Sequence, residues 1–136
     1  MTNLDHFITT VRYISQLFKI GQWKNGVKHG KGIMYYQSGN VYEGEWVDNV
    51  RNGKGIMKWK NRNEEYVGEW KNGLPHGSGI YTWGLKAVHM SQFPMNNEYI
   101  GTWSEGKRNG QGIYYYASGA CYKGEWKDNK KVSFIY

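Results

Sequence analysis

Basic side chains are the residues of this sequence whose spacing most suggests contact with a charged partner. Four of them stand two positions before a Gly-x-Gly pair or before its incomplete copy, and Pro75 interrupts the series. The four are Lys28, Arg51, Arg108 and Lys131. This column could be a positive ladder for an acidic partner, including anionic phospholipid. We favour the other interpretation, a solvated face partly balanced by a glutamate column at Glu45, Glu69 and Glu125, in which each exposed ion pair contributes only about 0.2–1 kcal/mol, because surface charge mostly serves solubility.

The other reactive residues lack the spacing that catalysis or metal binding requires. His29 and His76 occupy equivalent repeat positions two units apart, which is about 19 Å at the usual strand spacing. They therefore cannot share a metal ion. Cys121 is the single cysteine and has no positioned base beside it in the sequence, so we expect a packing role. The sequence predicts a protein that is not an enzyme, with no cofactor, no metal and no nucleic-acid partner.

The composition indicates that aromatic residues form the core. The chain has 136 residues, with 19 Gly, 12 Tyr and 7 Trp, and a formal net charge of +7. Aliphatic residues are sparse, so Tyr and Trp must supply most of the buried apolar area, at about 150–250 Å² each. No apolar run approaches the roughly 20 residues of a membrane-spanning helix. The single cysteine excludes an internal disulfide and favours an intracellular setting.

A repeat places these aromatics at fixed positions. Its first strand reads Tyr-x-Gly-x-Trp and its second Gly-x-Gly, and turn residues such as Asn25-Gly26 between them favour a tight hairpin. Because alternate residues of a strand share a face, we expect the aromatics and both glycines of each pair on one side of each hairpin. The first strands carry Gly21, Trp23, Tyr42, Gly44, Trp46, Tyr66, Gly68, Trp70, Tyr99, Gly101, Trp103, Tyr122, Gly124 and Trp126. The second strands carry Gly30, Gly32, Gly53, Gly55, Gly77, Gly79, Gly110 and Gly112.

The repeat divides the chain into units separated by one insertion. Residues 1–18 show the periodicity of a helix that could cap the array. Residues 84–98 form an insertion loop in which Phe93 is a candidate partner contact, since such loops often bind partners. The complete repeats are 19–41, 42–65, 66–83 and 99–121, and a partial repeat follows at 122–136.

The repeat resembles the membrane occupation and recognition nexus (MORN) repeat, over residues 19–131. The insertion from Ser91 to Tyr99, and the stretch Tyr115 to Ala120, resemble the MORN-rich radial spoke head proteins of motile cilia. The resemblance implies a non-catalytic structural component of the radial spoke head, whose partners are radial spoke or axonemal proteins. It implies localisation to the cytoplasm and cytoskeleton, in the axoneme of a cilium or flagellum. The alternative is a peripheral membrane module that binds anionic phospholipid through the basic column.

Together, the repeat and the resemblance predict an all-β fold. We expect an elongated, single-layer antiparallel sheet of consecutive hairpins, with Tyr and Trp rings lying over the repeat glycines. A hairpin alone is only marginally stable, so the units must stack side by side.

Overall fold

The computed structural model describes residues 18–84 and 96–132. The helix predicted in residues 1–18 falls almost wholly outside these ranges, as does Phe93 with most of the insertion loop.

The described residues form one open antiparallel sheet in which ten strands pair in chain order. This confirms the predicted all-β, single-layer architecture of consecutive hairpins. The strands are β1 (Phe18–Lys24), β2 (Val27–Tyr35), β3 (Val41–Val47), β4 (Val50–Trp59), β5 (Glu64–Lys71), β6 (Leu74–Trp83), β7 (Asn97–Ser104), β8 (Lys107–Tyr115), β9 (Cys121–Lys127) and β10 (Lys130–Lys131).

Tight turns close the hairpins and also tie each hairpin to the preceding one. Asn25 and Gly26 both have positive φ, as do Asp48 and Asn49, which is the conformation of the two-residue turns that match strand twist. A turn amide of each later hairpin donates to a backbone carbonyl one unit earlier: Asn49 to Lys28, Gly73 to Arg51, Gly106 to Pro75 and Asn129 to Arg108, at 2.9–3.1 Å. These hydrogen bonds between successive hairpins form a second ladder at the ends of the strands, where the turns lie.

The register aligns one glycine of every strand from β1 to β9 into a continuous row. Gly44, for example, lies opposite Gly32 on one side and Gly55 on the other. We call this the glycine row: Gly21, Gly32, Gly44, Gly55, Gly68, Gly79, Gly101, Gly112 and Gly124.

The tyrosine rings occupy one side of the glycine row. A Cβ atom at Gly55 would lie within 2.7 Å of three atoms of the Tyr42 phenol, and one at Gly44 would lie 2.5 Å from the Gly55 Cα. Tyr66 and Tyr99 stand over their own glycines in the same way. Only glycine leaves room for a ring so close to the backbone.

The first glycine of each pair differs from the expectation that both lie beside the aromatics. Between the pairs Gly44–Gly55 and Trp46–Arg51 the register shifts, so that Glu45 alone faces three residues of β4. Gly53 lies in this bulge with φ of 100°, and a Cβ there would overlap the Glu45 carboxylate rather than a ring. Gly30, Gly77 and Gly110 also have positive φ. The pair therefore combines a bulge glycine with a close-approach glycine.

Candidate interaction surfaces

The two faces of the sheet are built differently, and we call them the aromatic face and the open face. Residues paired across strands share a face, so Tyr42, Trp46 and Arg51 lie on the aromatic face. Their chain neighbours Glu43 and Glu45 lie on the open face.

Tyrosines on the aromatic face join each tryptophan to the next. The Tyr42 ring meets the rings of Trp46 and Trp70 edge-on, with centroids 5.0 and 5.3 Å apart. Tyr66 repeats the arrangement with Trp70 and Trp103, at 5.1 and 5.4 Å. Tyr99 bridges Trp103 and Trp126 at 5.2 and 5.3 Å. Edge-to-face pairs of this kind contribute about 0.5–1.5 kcal/mol beyond area burial.

The polar atoms of these rings are directed at the backbone. The Trp70 indole N–H donates to the Gly55 carbonyl at 3.1 Å, and the Tyr42 hydroxyl donates to the Glu45 carbonyl at 3.0 Å. Trp46, Trp103 and Trp126 donate to Gly32, Gly79 and Gly112 in the same way. Burial raises the pKa of the Tyr42 and Tyr66 phenols. These groups hold the units together rather than reacting with a ligand.

The contacts and burial of rings on the aromatic face also differ between units. Tyr81 donates to the Glu64 carboxylate at 2.5 Å, and burial with that contact raises its pKa. In the edge unit, Trp23 is 56% exposed, unlike the buried tryptophans of later units. Tyr122, near the other end of the sheet, is half-buried.

The predicted basic column lies on the aromatic face, and its first three members lie against rings of the next unit. The Arg51 guanidinium lies 4.7 Å from the Trp70 ring centroid and donates to the Gly73 carbonyl at 2.8 Å. Arg108 lies 4.6 Å from the Trp126 centroid and donates to the Asn129 carbonyl at 3.0 Å. Burial lowers the pKa of Arg108. Both arginines therefore act as internal pins between units.

The two lysines of the column also contact rings. The Lys28 ammonium lies 5.1 Å from the Trp46 centroid. The Lys131 ammonium lies 4.6 Å from the Tyr122 centroid and contacts the Tyr116 hydroxyl. The expectation that the glutamate column balances these cations is wrong at Glu45, because that carboxylate lies on the open face and accepts from the Lys54 amide at 3.2 Å. Glu69 accepts from the Ser78 amide at 3.1 Å.

A groove crosses the open face, directly behind the tyrosine rings. The glycine row forms its floor, because the Cβ positions of this row point to the aromatic face and leave only backbone on the open face. One wall is the aliphatic row, consisting of Ile33, Ile56, Val67, Ile80, Ile100 and Ile113 and interrupted by Glu43. The other wall is the polar row, consisting of Lys31, Glu45, Lys54, Glu69, Ser78, Thr102, Gln111 and Glu125. The groove is continuous from β2 to β7.

The groove exposes apolar surface that a partner could cover. Val67, Ile80 and Ile100 stand side by side on three successive strands, and they are 38%, 37% and 38% exposed. A contiguous exposed apolar patch of this kind is typical of interaction sites. The sequence contained one signal for it, the isoleucine that follows each Gly-x-Gly pair. The rest depended on the register, which brings Val67 and Ile100 from the first strands into the same row.

Comparison with protein families agrees with the architecture. The model of the MORN repeat matches residues 20–41, 42–64, 66–84, 99–121 and 122–133, which is most of the chain. MORN repeats mediate protein interaction or membrane binding and are typically non-catalytic. Within residues 18–84 and 96–132, no cluster of three or more His, Cys, Asp or Glu residues could hold a metal ion. No helix in these ranges is long and apolar enough to cross a membrane. On its repeats, its hairpin array and this match, the chain belongs to the MORN repeat family.

Proposed function

We propose that this chain is a non-catalytic protein-interaction module that serves as a structural component of the radial spoke head in motile cilia or flagella. The open groove carries the interaction part of the proposal, because it is an exposed apolar surface on a rigid support. The ciliary part is supported by the likeness of Ser91–Tyr99 and Tyr115–Ala120 to radial spoke head protein 10 homologue B.

The proposed mechanism is passive. The aromatic face and the ladder of turns hold the units at a fixed spacing, so the sheet sets a length and presents the groove along it. Partners are radial spoke or other axonemal proteins, and the site of action is the cytoplasmic axoneme.

The contacts of the basic column favour protein partners over anionic lipid. Arg51 and Arg108 are half-buried between rings and already donate to backbone carbonyls. Breaking these contacts to reach a phosphate would cost stability, whereas a free surface Lys or Arg would contribute about 1 kcal/mol to membrane binding. We therefore place partner binding at the groove.

Co-sedimentation of the purified chain tests this function. The chain should sediment with demembranated axonemes at physiological salt and should not sediment with phosphoinositide-containing vesicles. Axonemes that lack radial spokes should bind much less. A Val67→Lys variant, which places a charge in the groove wall, should lose binding. Lys123→Ala, on β9 beside the last residue of the aliphatic row, Ile113, should retain it. Vesicle binding that disappears when Lys28 and Lys131 are neutralised would instead establish the lipid function.

A further inference from the structure

The polar row of the groove has an ordered charge pattern in one half only. On β2, β3, β4 and β5 it carries Lys31, Glu45, Lys54 and Glu69, which alternate in sign from strand to strand. On β6, β7 and β8 the same row carries Ser78, Thr102 and Gln111, which are uncharged. The alternating charges thus face the groove along four consecutive strands.

This spacing matches the pitch of an α-helix laid across the strands. Neighbouring strands lie about 4.8 Å apart, and successive turns of an α-helix lie about 5.4 Å apart. Over four strands the mismatch accumulates to only about 1.8 Å, which flexible Lys and Glu side chains absorb. From β2 to β9 it would reach about 4 Å, and the alternation does stop after β5; the next charge in the row is Glu125 on β9. An extended peptide repeats its side chains on one face about every 6.6 Å, so it falls out of register sooner.

The width of the groove limits what enters it. The aliphatic and polar rows stand two residues apart on each strand, which is about 7 Å. An α-helix with side chains is about 10–12 Å across, so the helix body rests on the rims and only a ridge of side chains enters. That ridge must be apolar beside Ile33, Ile56 and Val67, since the floor is peptide backbone whose hydrogen bonds are used within the sheet. Glu43 on β3 interrupts this wall, so the ridge has room for one basic residue opposite it.

We infer that the groove over β2–β5 binds an amphipathic α-helix of a partner protein, laid across the strands. A narrow apolar ridge of this helix enters the groove beside Ile56 and Val67. The flank that faces the polar row carries acidic and basic residues on alternate turns, opposite Lys31, Glu45, Lys54 and Glu69. This inference rests on the proposed protein-interaction function and specifies the class of partner.

Two helical probe peptides of identical composition test the inference on the full chain. Both carry the same leucine ridge. One has a flank that alternates Glu and Lys turn by turn, and the other has the same residues in two blocks. Fluorescence anisotropy should show that the alternating peptide binds more tightly, by about 2- to 30-fold if one to two exposed ion pairs are gained. Equal affinities would overturn the charge register.

A matched variant tests whether the preference for the alternating peptide depends on Glu45 and Glu69. Gln22, at the position equivalent to Glu45 in the first unit, accepts from the Lys31 amide at 2.9 Å. The double change Glu45→Gln and Glu69→Gln should therefore keep the bulge contacts and remove only the charge. We expect it to abolish the preference for the alternating peptide. Gln111→Glu, in the uncharged half, should leave the preference intact.

The outcomes separate this inference from the proposed function. If Val67→Lys abolishes axoneme binding but the peptides bind equally or not at all, the interaction function stands and the helix is overturned. The charge alternation would then serve only cross-strand pairing within the sheet. If a proline-containing extended peptide displaces the alternating helix with equal affinity, the helical partner is likewise overturned. If neither axonemes nor peptides bind, both proposals fail.

Discussion

The aromatic and open faces lie on opposite sides of the glycine row, and only the aromatic face requires these residues to be glycine. On the aromatic face, the missing side chain at Gly55 lets the Tyr42 ring lie against the backbone. On the open face, the same row presents only backbone because its Cβ positions point to the aromatic face, and the groove lies between the flanking aliphatic and polar rows. A single-layer sheet has no second layer to bury its core, so the rings must pack on the sheet itself. The aromatic face is therefore covered by its own rings, and the open face remains accessible to a partner.

Alkaline pH should weaken the aromatic face most. Burial raises the pKa of Tyr42, Tyr66 and Tyr99, whereas unfolded phenols titrate near pH 10. The folded state therefore holds protons that the unfolded state releases, so the stabilisation is complete below about pH 10 and is lost as the pH rises above it. Each tyrosine contributes up to about 1.4 kcal/mol per pH unit. Urea unfolding at about pH 8 and 10.5 measures this, and Tyr66→Phe should reduce the slope.

A side chain in the glycine row should damage the aromatic face even though the residue looks exposed from the other side. Gly55→Val forces the Tyr42 ring away from the backbone, and we expect a loss of about 3 kcal/mol, the upper part of the overpacking range. Lys54→Ala, one residue away, should change stability by less than about 0.5 kcal/mol. Equal melting temperatures for Gly55→Val and the parent would refute the packing of the ring on the glycine.

Removing a cation should destabilise the protein much more on the aromatic face than on the open face. Arg51→Ala removes a hydrogen bond to Gly73 and the stacking on Trp70, at a cost of about 2–3 kcal/mol. Lys31→Ala removes an exposed charge from the open face and should cost less than about 0.5 kcal/mol. Chemical denaturation of both variants provides the measurement. If both changes cost the same, Arg51 is not a pin between units.

Among the destabilising substitutions, a change at the bulge glycine Gly53 should cost the least stability. Gly53→Ala must adopt a φ near 100° and displace the Glu45 carboxylate, which we expect to cost about 1–2 kcal/mol. In a Glu45→Ala background the same change should cost less, because the displaced group is absent. A double-mutant cycle measures the difference. Strict additivity would show that only the backbone conformation matters.

The sequence predicted what depends on a single strand or turn. Alternation of Tyr42, Gly44 and Trp46 places them on one face, and Asn25-Gly26 predicts a tight turn. The features it did not predict depend on how strands align. The bulge at Gly53 arises because Gly44 pairs with Gly55 while Trp46 pairs with Arg51. The stacking of Arg51 on Trp70 and the alignment of Val67 with Ile56 join different units, so no single repeat contains the signal.

The order of the strands also determines how the array responds to force. Because consecutive strands are neighbours, the backbone hydrogen bonds lie along the long axis of the sheet, and β1 and β10 lie at opposite ends of that axis. Tension applied between β1 and β10 would therefore open one strand pair at a time and would not load all the hydrogen bonds in parallel. The array should therefore yield stepwise when stretched in this direction, one strand pair per step.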